Sequence, residues 1–229
     1  KTLIKSRAAN DLSPASILSH VNTELSHNND SCMFVTIFLG ILDVTTGETV
    51  FTNAGHNPPY IKRASGSLVT LDQRHGPIIG AAEGLAYRED VETLAPGDCL
   101  FLFTDGVTEA MDEDVRLYGD QRLIDVLNAL DFTSTEGLVQ AAVDDVWEYQ
   151  GNAEQADDVT VMAVAFFGAT EDSGVPRLEL TATNRLEEID VVNQNFNTFA
   201  QGHDVPEAIR RRVNLVFDEL LNNIISYAY

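Results

Sequence analysis

Two apolar runs that each end in aspartate constrain this chain more than any other feature: Leu100-Phe101-Leu102-Phe103-Thr104-Asp105-Gly106 and Asp157-Asp158-Val159-Thr160-Val161-Met162-Ala163-Val164. A continuous apolar run of this length reads as a strand covered on both faces, so a carboxylate at its end must be solvated, hydrogen-bonded or metal-bound. Asp105 leaves one such strand and Asp157 enters the other, and antiparallel pairing of the two would set the carboxylates side by side. Hard oxygen donors without a Cys/His cluster favour magnesium or manganese over zinc. Thr-Asp-Gly by itself is also an ordinary turn, in which Asp bonds its own backbone and Gly supplies a positive φ. The occurrence of two such strand ends, in this order, turns the balance towards a metal.

At 229 residues with 44% apolar side chains, the chain is long enough for one large or two small domains with a proper core. Its formal net charge of -22 repels phosphate backbones and anionic lipid, which argues against nucleic acid and membrane surfaces as partners. Cys32 and Cys99 flank apolar runs with no CxxC or CxxH spacing, and both are expected to be buried free thiols. No run approaches the ~18 residues of a membrane span and no signal-peptide core opens the chain, so a cytoplasmic location is expected. Lys1 to Ala9 read as the back end of a helix, with the parent protein expected to continue upstream.

Ser13 is a candidate N-cap and Pro14 suits a first helical turn, with Ile17, Leu18, Val21 and Leu25 as the apolar stripe. Short β-type runs follow at Met33 to Leu42, Thr49 to Asn53, Tyr60 to Arg63 and Leu68 to Leu71, spaced as in an antiparallel meander. Tyr87 to Leu94 and Cys99 to Thr104 come next, joined by the turn Ala95-Pro96-Gly97-Asp98. Helices are predicted over Asp120 to Leu130 and Thr135 to Tyr149, the second opened by Thr133 with Glu136 as a capping pair. The strand Val159 to Phe167 closes this unit. Residues 168–176 have the composition of a linker, and beyond it come a strand (Arg177 to Thr183), a helix (Leu186 to Ala200) and a helix from Pro206 with Asp204 and Glu207 as its cap pair. Helix, many antiparallel strands, helices and a last strand imply an α+β layered fold.

Four segments carry a resemblance: Asn53-Ala54-Gly55-His56-Asn57-Pro58-Pro59, Gly76-Pro77-Ile78-Ile79-Gly80, Phe103-Thr104-Asp105-Gly106-Val107-Thr108-Glu109-Ala110 and Ala156-Asp157-Asp158-Val159-Thr160. Over residues 1–167 the chain resembles the bacterial PPM-type serine phosphatases of the sporulation stage II protein E and stress-response sigma-regulator group. The resemblance implies an αββα sandwich with two Mn or Mg ions, in which Asp105 and Asp157 are metal-binding and catalytic, with Asp158 beside them. It also implies a phosphorylated STAS-domain (anti-anti-sigma) protein as substrate and a sigma factor within reach of the same pathway. The family's first metal-binding motif, Gly-Asp before a glycine-containing turn, has no counterpart here, so the chain as written is expected to be weakly active. No Ser, Cys or His stands in a convincing nucleophile setting. His56 is an acid or a loop-orienting residue if functional, and in a Gly/Asn/Pro turn it is more often structural.

In residues 177–229, Glu219 and Asn223 are four apart and share a helix face. This resembles the N-box of histidine-kinase-like ATPases, an α/β-sandwich fold, which implies ATP and Mg binding if that domain is complete. No Asp-x-Gly-x-Gly turn follows in this sequence. Two rivals to the phosphatase stand beside it: a catalytically dead docking module and an ATP-binding anti-sigma kinase-like regulator. The apolar residues Val213, Val216 and Leu220 suggest association, a homodimer among the possibilities.

Overall fold

The computed structural model describes residues 2–8, 11–27, 29, 32–130, 134–155, 157–169 and 176–183; for residues 2, 169 and 176–183 the description is of the backbone alone. The elements are α1 (Thr2–Ala8), α2 (Pro14–Ser26), β1 (Ile37–Leu42), β2 (Glu48–Ala54), β3 (Tyr60–Lys62), β4 (Leu68–Thr70), β5 (Asp90–Thr93), β6 (Asp98–Phe103), α3 (Asp105–Thr108), α4 (Gly119–Ala129), α5 (Thr135–Gln150), β7 (Val161–Ala169) and β8 (Pro176–Thr183).

Strand β6 shows why the layers form. Every one of its residues is buried, and successive side chains point to opposite faces. Leu100 and Leu102 pack with Phe38, Phe51, Met162 and Val164 between two sheets. Cys99, Phe101 and Phe103 turn the other way, onto Leu123, Leu127, Val139, Ala142 and Val146 of α4 and α5. On the far side, Ile37, Leu39 and Ile41 of β1 receive Ile17, Leu18 and Val21 of α2. Three cores stacked in this way make a helix–sheet–sheet–helix sandwich. Full burial of one such Leu or Phe contributes about 1.5–3 kcal/mol, and the one charged residue of the strand, the buried Asp98 at its start, has its carboxylate satisfied by Arg63 and by the Ala64 and Ala95 N–H groups.

The sheets are β1-β2-β5 and β4-β3-β6-β7-β8. This corrects the expected meander: β1 and β2 form one hairpin and β3 and β4 another, but β2 pairs with β5 and β3 with β6. The break falls at Gly55-His56-Asn57-Pro58-Pro59. Gly55 takes a φ of +83° and a proline lacks the N–H that a ladder needs, so the chain crosses between sheets there. The β1 strand is shorter than expected because Met33 and Phe34 are exposed and Val35 bridges Ile79 in isolation. Similarly, Tyr87 and Arg88 are not strand: their N–H groups donate to Ser19 Oγ and the His75 carbonyl. Strand β8, which begins the expected second unit, pairs antiparallel with β7 as the edge of the five-stranded sheet.

Ser13 caps α2, its Oγ accepting from Ser16 N–H, and Pro14 follows as expected, although Leu25 is exposed. The cap of α5 is Ser134, whose Oγ accepts from Gly137 N–H at 3.0 Å; Thr133, the expected cap, lies outside the described residues. Both cysteines are free, but Cys32 is exposed and only Cys99 is buried. Arg63 clasps the two sheets together, donating to Glu92 Oε1 and Asp98 Oδ2, each at 2.8 Å, and to the Thr93 carbonyl at 3.0 Å. Val115 has a φ of 62°, a left-handed backbone that costs a β-branched residue roughly 1–2 kcal/mol.

Candidate metal centre

The two aspartate-bearing strand ends meet. Strands β6 and β7 are antiparallel neighbours with Phe103 opposite Val161 as the last rung, so Asp105 follows one strand and Asp157 and Asp158 precede the other at the same end of the sheet. Beyond the ladder the Thr104 hydroxyl continues the stitching. It donates to the Asp158 carbonyl and accepts from Thr160 N–H, each at 3.0 Å, while Thr104 N–H donates to the Thr160 carbonyl at 3.0 Å. Thr104 is the residue before α3 and makes no side-chain cap bond there, because its hydroxyl is committed across the gap.

The two segments also lie close at Gly106. A Cβ added to it would stand 2.2 Å from the Asp158 carbonyl oxygen and 2.7 Å from its carbon, so only glycine lets the Asp105 turn lie against the Asp158 peptide. Two oxygens are held by local bonds: Gly106 N–H donates to Asp105 Oδ1 at 3.0 Å and Asp158 N–H to Asp157 Oδ1 at 2.7 Å. Asp105 and Asp157 are exposed and Asp158 is half-buried. Thr160 Oγ1, inside the same knot, is a buried oxygen with no hydrogen-bond partner among the described residues.

His56 joins this end of the molecule. Asn53 grips its turn twice, accepting from His56 N–H at 2.9 Å and donating to the His56 carbonyl at 3.0 Å. Burial pushes the imidazole below its ordinary pKa of 6.5, opposed by the bond to the Asn57 carbonyl and by the Asp105 carboxylate. Since Nδ1 lies 2.9 Å from that carbonyl, a neutral ring carries its proton on Nδ1 and leaves Nε2 as an acceptor. Asn53 is in turn held by His75, whose Nδ1 accepts from Asn53 N–H at 2.9 Å and whose Nε2 faces Asp90 at 3.2 Å.

The donor set fits a hard divalent cation. It offers carboxylate oxygens that are exposed and oriented by backbone N–H groups, with no thiolate among them. No three His, Cys, Asp or Glu side chains gather into a metal-holding cluster among the described residues: the structure brings the segments that carry Asp105, Asp157 and Asp158 to one end of the sheet but does not draw their three carboxylates into one ligand group. Thr104, Gly106 and Thr160 are contributors that sequence reasoning missed as supporting residues. Glycine directly after the strand-end aspartate was the available signal; the Thr104 hydroxyl bond had none. Glu219 and Asn223 lie outside the described residues.

This helix–sheet–sheet–helix sandwich is the fold of PP2C-type (PPM) phosphatase domains. The family described as Stage II sporulation protein E (SpoIIE) matches residues 1–167, and the chain belongs to it. Protein IcfG of Synechocystis is 30% identical over 139 residues, covering 61% of this chain and 22% of that protein. Phosphoserine phosphatase RsbU of Bacillus subtilis is 28% identical over 102 residues, covering 44% and 30%. The chain thus spans less than a third of the length of these two curated relatives. The crystal structure of the RsbU and RsbW domains of Rv1364c from Mycobacterium tuberculosis superposes with a TM-score of 0.60 at 19% identity, covering 100% of this chain and 63% of that one.

Proposed function

We propose that this chain belongs to a divalent-metal-dependent protein serine phosphatase that hydrolyses phosphoserine on a STAS-type anti-anti-sigma protein in sigma-factor regulation. The observation that carries it is the packing of the Asp105-Gly106 turn against the Asp158 peptide at the end of two antiparallel core strands. Support comes from membership of the SpoIIE family and from the phosphoserine phosphatase RsbU among the relatives.

Asp105 and Asp157, each with one carboxylate oxygen already accepting a backbone N–H, and Asp158 beside them would hold the metal through their remaining oxygens. Two bound Mn or Mg ions would supply a water of lowered pKa and neutralise phosphate charge. Thr104 and Gly106 keep the two aspartate segments in register, and the buried, neutral His56 presents an acceptor nitrogen on the same side as Asp105. No side-chain nucleophile is required.

Residues 177–229 are proposed as the start of a histidine-kinase-like anti-sigma kinase domain, with the boundary at 168–176. The full coverage of this chain by the RsbU–RsbW structure supports a second domain, while the pairing of β8 with β7 joins residues 176–183 to the first domain's sheet. Titration of the full-length protein with ATP and Mg tests it, and absence of saturable binding would remove it.

The phosphatase is tested by manganese calorimetry on the full-length protein and on its Asp105→Asn and Asp157→Asn variants, alongside p-nitrophenyl phosphate hydrolysis. Each substitution is expected to weaken manganese binding by at least about tenfold and to abolish turnover. Unchanged manganese affinity in both variants would defeat the proposal.

A further inference from the structure

A braced hairpin that follows the Asp105 segment in the chain presents apolar side chains to solvent. Met111 and Leu117 form an isolated antiparallel bridge. The turn between them is closed by Val115 N–H donating to the Asp112 carbonyl at 3.0 Å and Asp112 N–H to the Arg116 carbonyl at 3.1 Å. Asp112 Oδ1 accepts from Asp114 N–H at 2.9 Å and Arg116 N–H at 2.8 Å. Hairpins of this type place a left-handed residue after the turn, where glycine or asparagine is favoured. Here the residue is Val115, at φ 62° and 71% exposed, with Leu117 nearby at 55%. Neither backbone preference nor packing among the described residues accounts for a valine in that place.

The hairpin is fixed to the body of the protein. Tyr149 Oη donates to the Arg116 and Leu117 carbonyls at 3.2 and 3.1 Å, and Asn152 Nδ2 donates to Glu113 Oε1 at 3.0 Å. The chain connects it to both aspartate-bearing segments: its neck follows α3, which begins at Asp105, and Asn152, bonded to Glu113, precedes Asp157 by five residues. Its flank is acidic, with Asp112, Glu113 and Asp114, and its cation Arg116 is already paired with Asp114 at 3.2 Å.

We propose that hairpin 111–117 is the docking arm for the phosphoprotein substrate. An apolar residue next to the phosphoserine seats against Val115 and Leu117, and Arg or Lys residues of the substrate face the carboxylates around them. The inference rests on the phosphatase reading. The occupant's charge follows from complementarity: a chain of net charge -22 repels an acid-flanked phosphopeptide and attracts a basic one.

The test uses two fluorescein-labelled phosphoserine peptides, one flanked by Leu and Arg and one by Ser and Glu. Binding to the full-length protein in manganese is followed by fluorescence anisotropy. The Leu/Arg peptide should bind about tenfold more tightly than its counterpart. The double variant Val115→Asn/Leu117→Ser, in which Asn accepts the left-handed backbone, should cost that peptide about fivefold in affinity and leave p-nitrophenyl phosphate hydrolysis unchanged. Val115→Gly, which keeps the turn and deletes the side chain, should shift affinity in the same direction. Equal binding of the two peptides, or a double variant within twofold of the parent, overturns the docking arm. If p-nitrophenyl phosphate is not hydrolysed at all, the phosphatase reading fails, and the anisotropy still decides whether the arm binds.

Discussion

Gly106→Ala probes the junction on which the candidate centre depends. The added Cβ would stand 2.2 Å from the Asp158 carbonyl oxygen, whereas ordinary contact begins at 3.4 Å, so the two segments must separate by 3.4 − 2.2 = 1.2 Å. The obstructing atoms are backbone, with Val159 N at 3.3 Å behind them, and no rotamer change relieves the clash. Overpacking of this kind costs about 1–3 kcal/mol, and the rigid neighbour puts this case near 3. The Thr104 hydroxyl bond to the Asp158 carbonyl is strained by the same movement, at about 1 kcal/mol if lost. For a chain of this size, 3 kcal/mol corresponds to a fall in Tm of about 6–12 °C. A displacement near 1 Å between ligand-bearing segments should lower turnover by about 10²-fold. Calorimetric melting, manganese titration and p-nitrophenyl phosphate hydrolysis read the three effects separately. A Gly106→Ala protein that melts within 1 °C of the parent and binds manganese as tightly would refute the argument that this contact sets the spacing.

Two further outcomes follow from the polar network. Asp98 is buried and accepts from Arg63 and from the Ala64 and Ala95 N–H groups. Asp98→Ala should therefore destabilise the protein by about 3 kcal/mol in urea titration, and a loss under 1 kcal/mol would show that the clasp is dispensable. Acid should weaken the fold in two steps. Burial lowers the pKa of His56, so its contribution is complete above the unfolded value of about 6.5 and is lost as pH falls through that value towards the folded one. Hydrogen bonding to Arg122 holds the Asp145 carboxyl below 3.8, so its contribution is present above that value and disappears as pH falls through the folded pKa. In urea midpoints measured from pH 8 to 3, His56→Gln should erase the upper step and Asp145→Asn the lower; profiles identical to the parent would contradict both assignments.

Much of the layering was legible in the sequence because it rests on local periodicity. The uninterrupted run at residues 99–103 announced a strand covered on both faces, and Ser13-Pro14 announced a helix start. The division of strands between two sheets was not legible, since the turn at Gly55-His56 and prolines 58 and 59 is equally compatible with a hairpin until the partners of β2 and β3 are known. Trp147 shared the helical spacing of the buried Val143 and Val146 yet is 44% exposed, because spacing defines a stripe and only the neighbouring layer defines its width.

By itself, then, the order of residues determined that these strands exist, roughly where they lie and which core strands are flanked by aspartate, properties set by side-chain alternation and turn chemistry within a few residues, while the exact ends of β1 and β5 followed from tertiary contacts. Tertiary structure alone decided that the Thr104 hydroxyl spans to Asp158, that Gly106 leaves no room for a Cβ against the Asp158 peptide, that His56 is buried near Asp105 and that Val115 is exposed on a hydrogen-bonded hairpin. Each of these depends on groups brought together from distant parts of the chain, and the energy of such contacts has no signature in the local sequence.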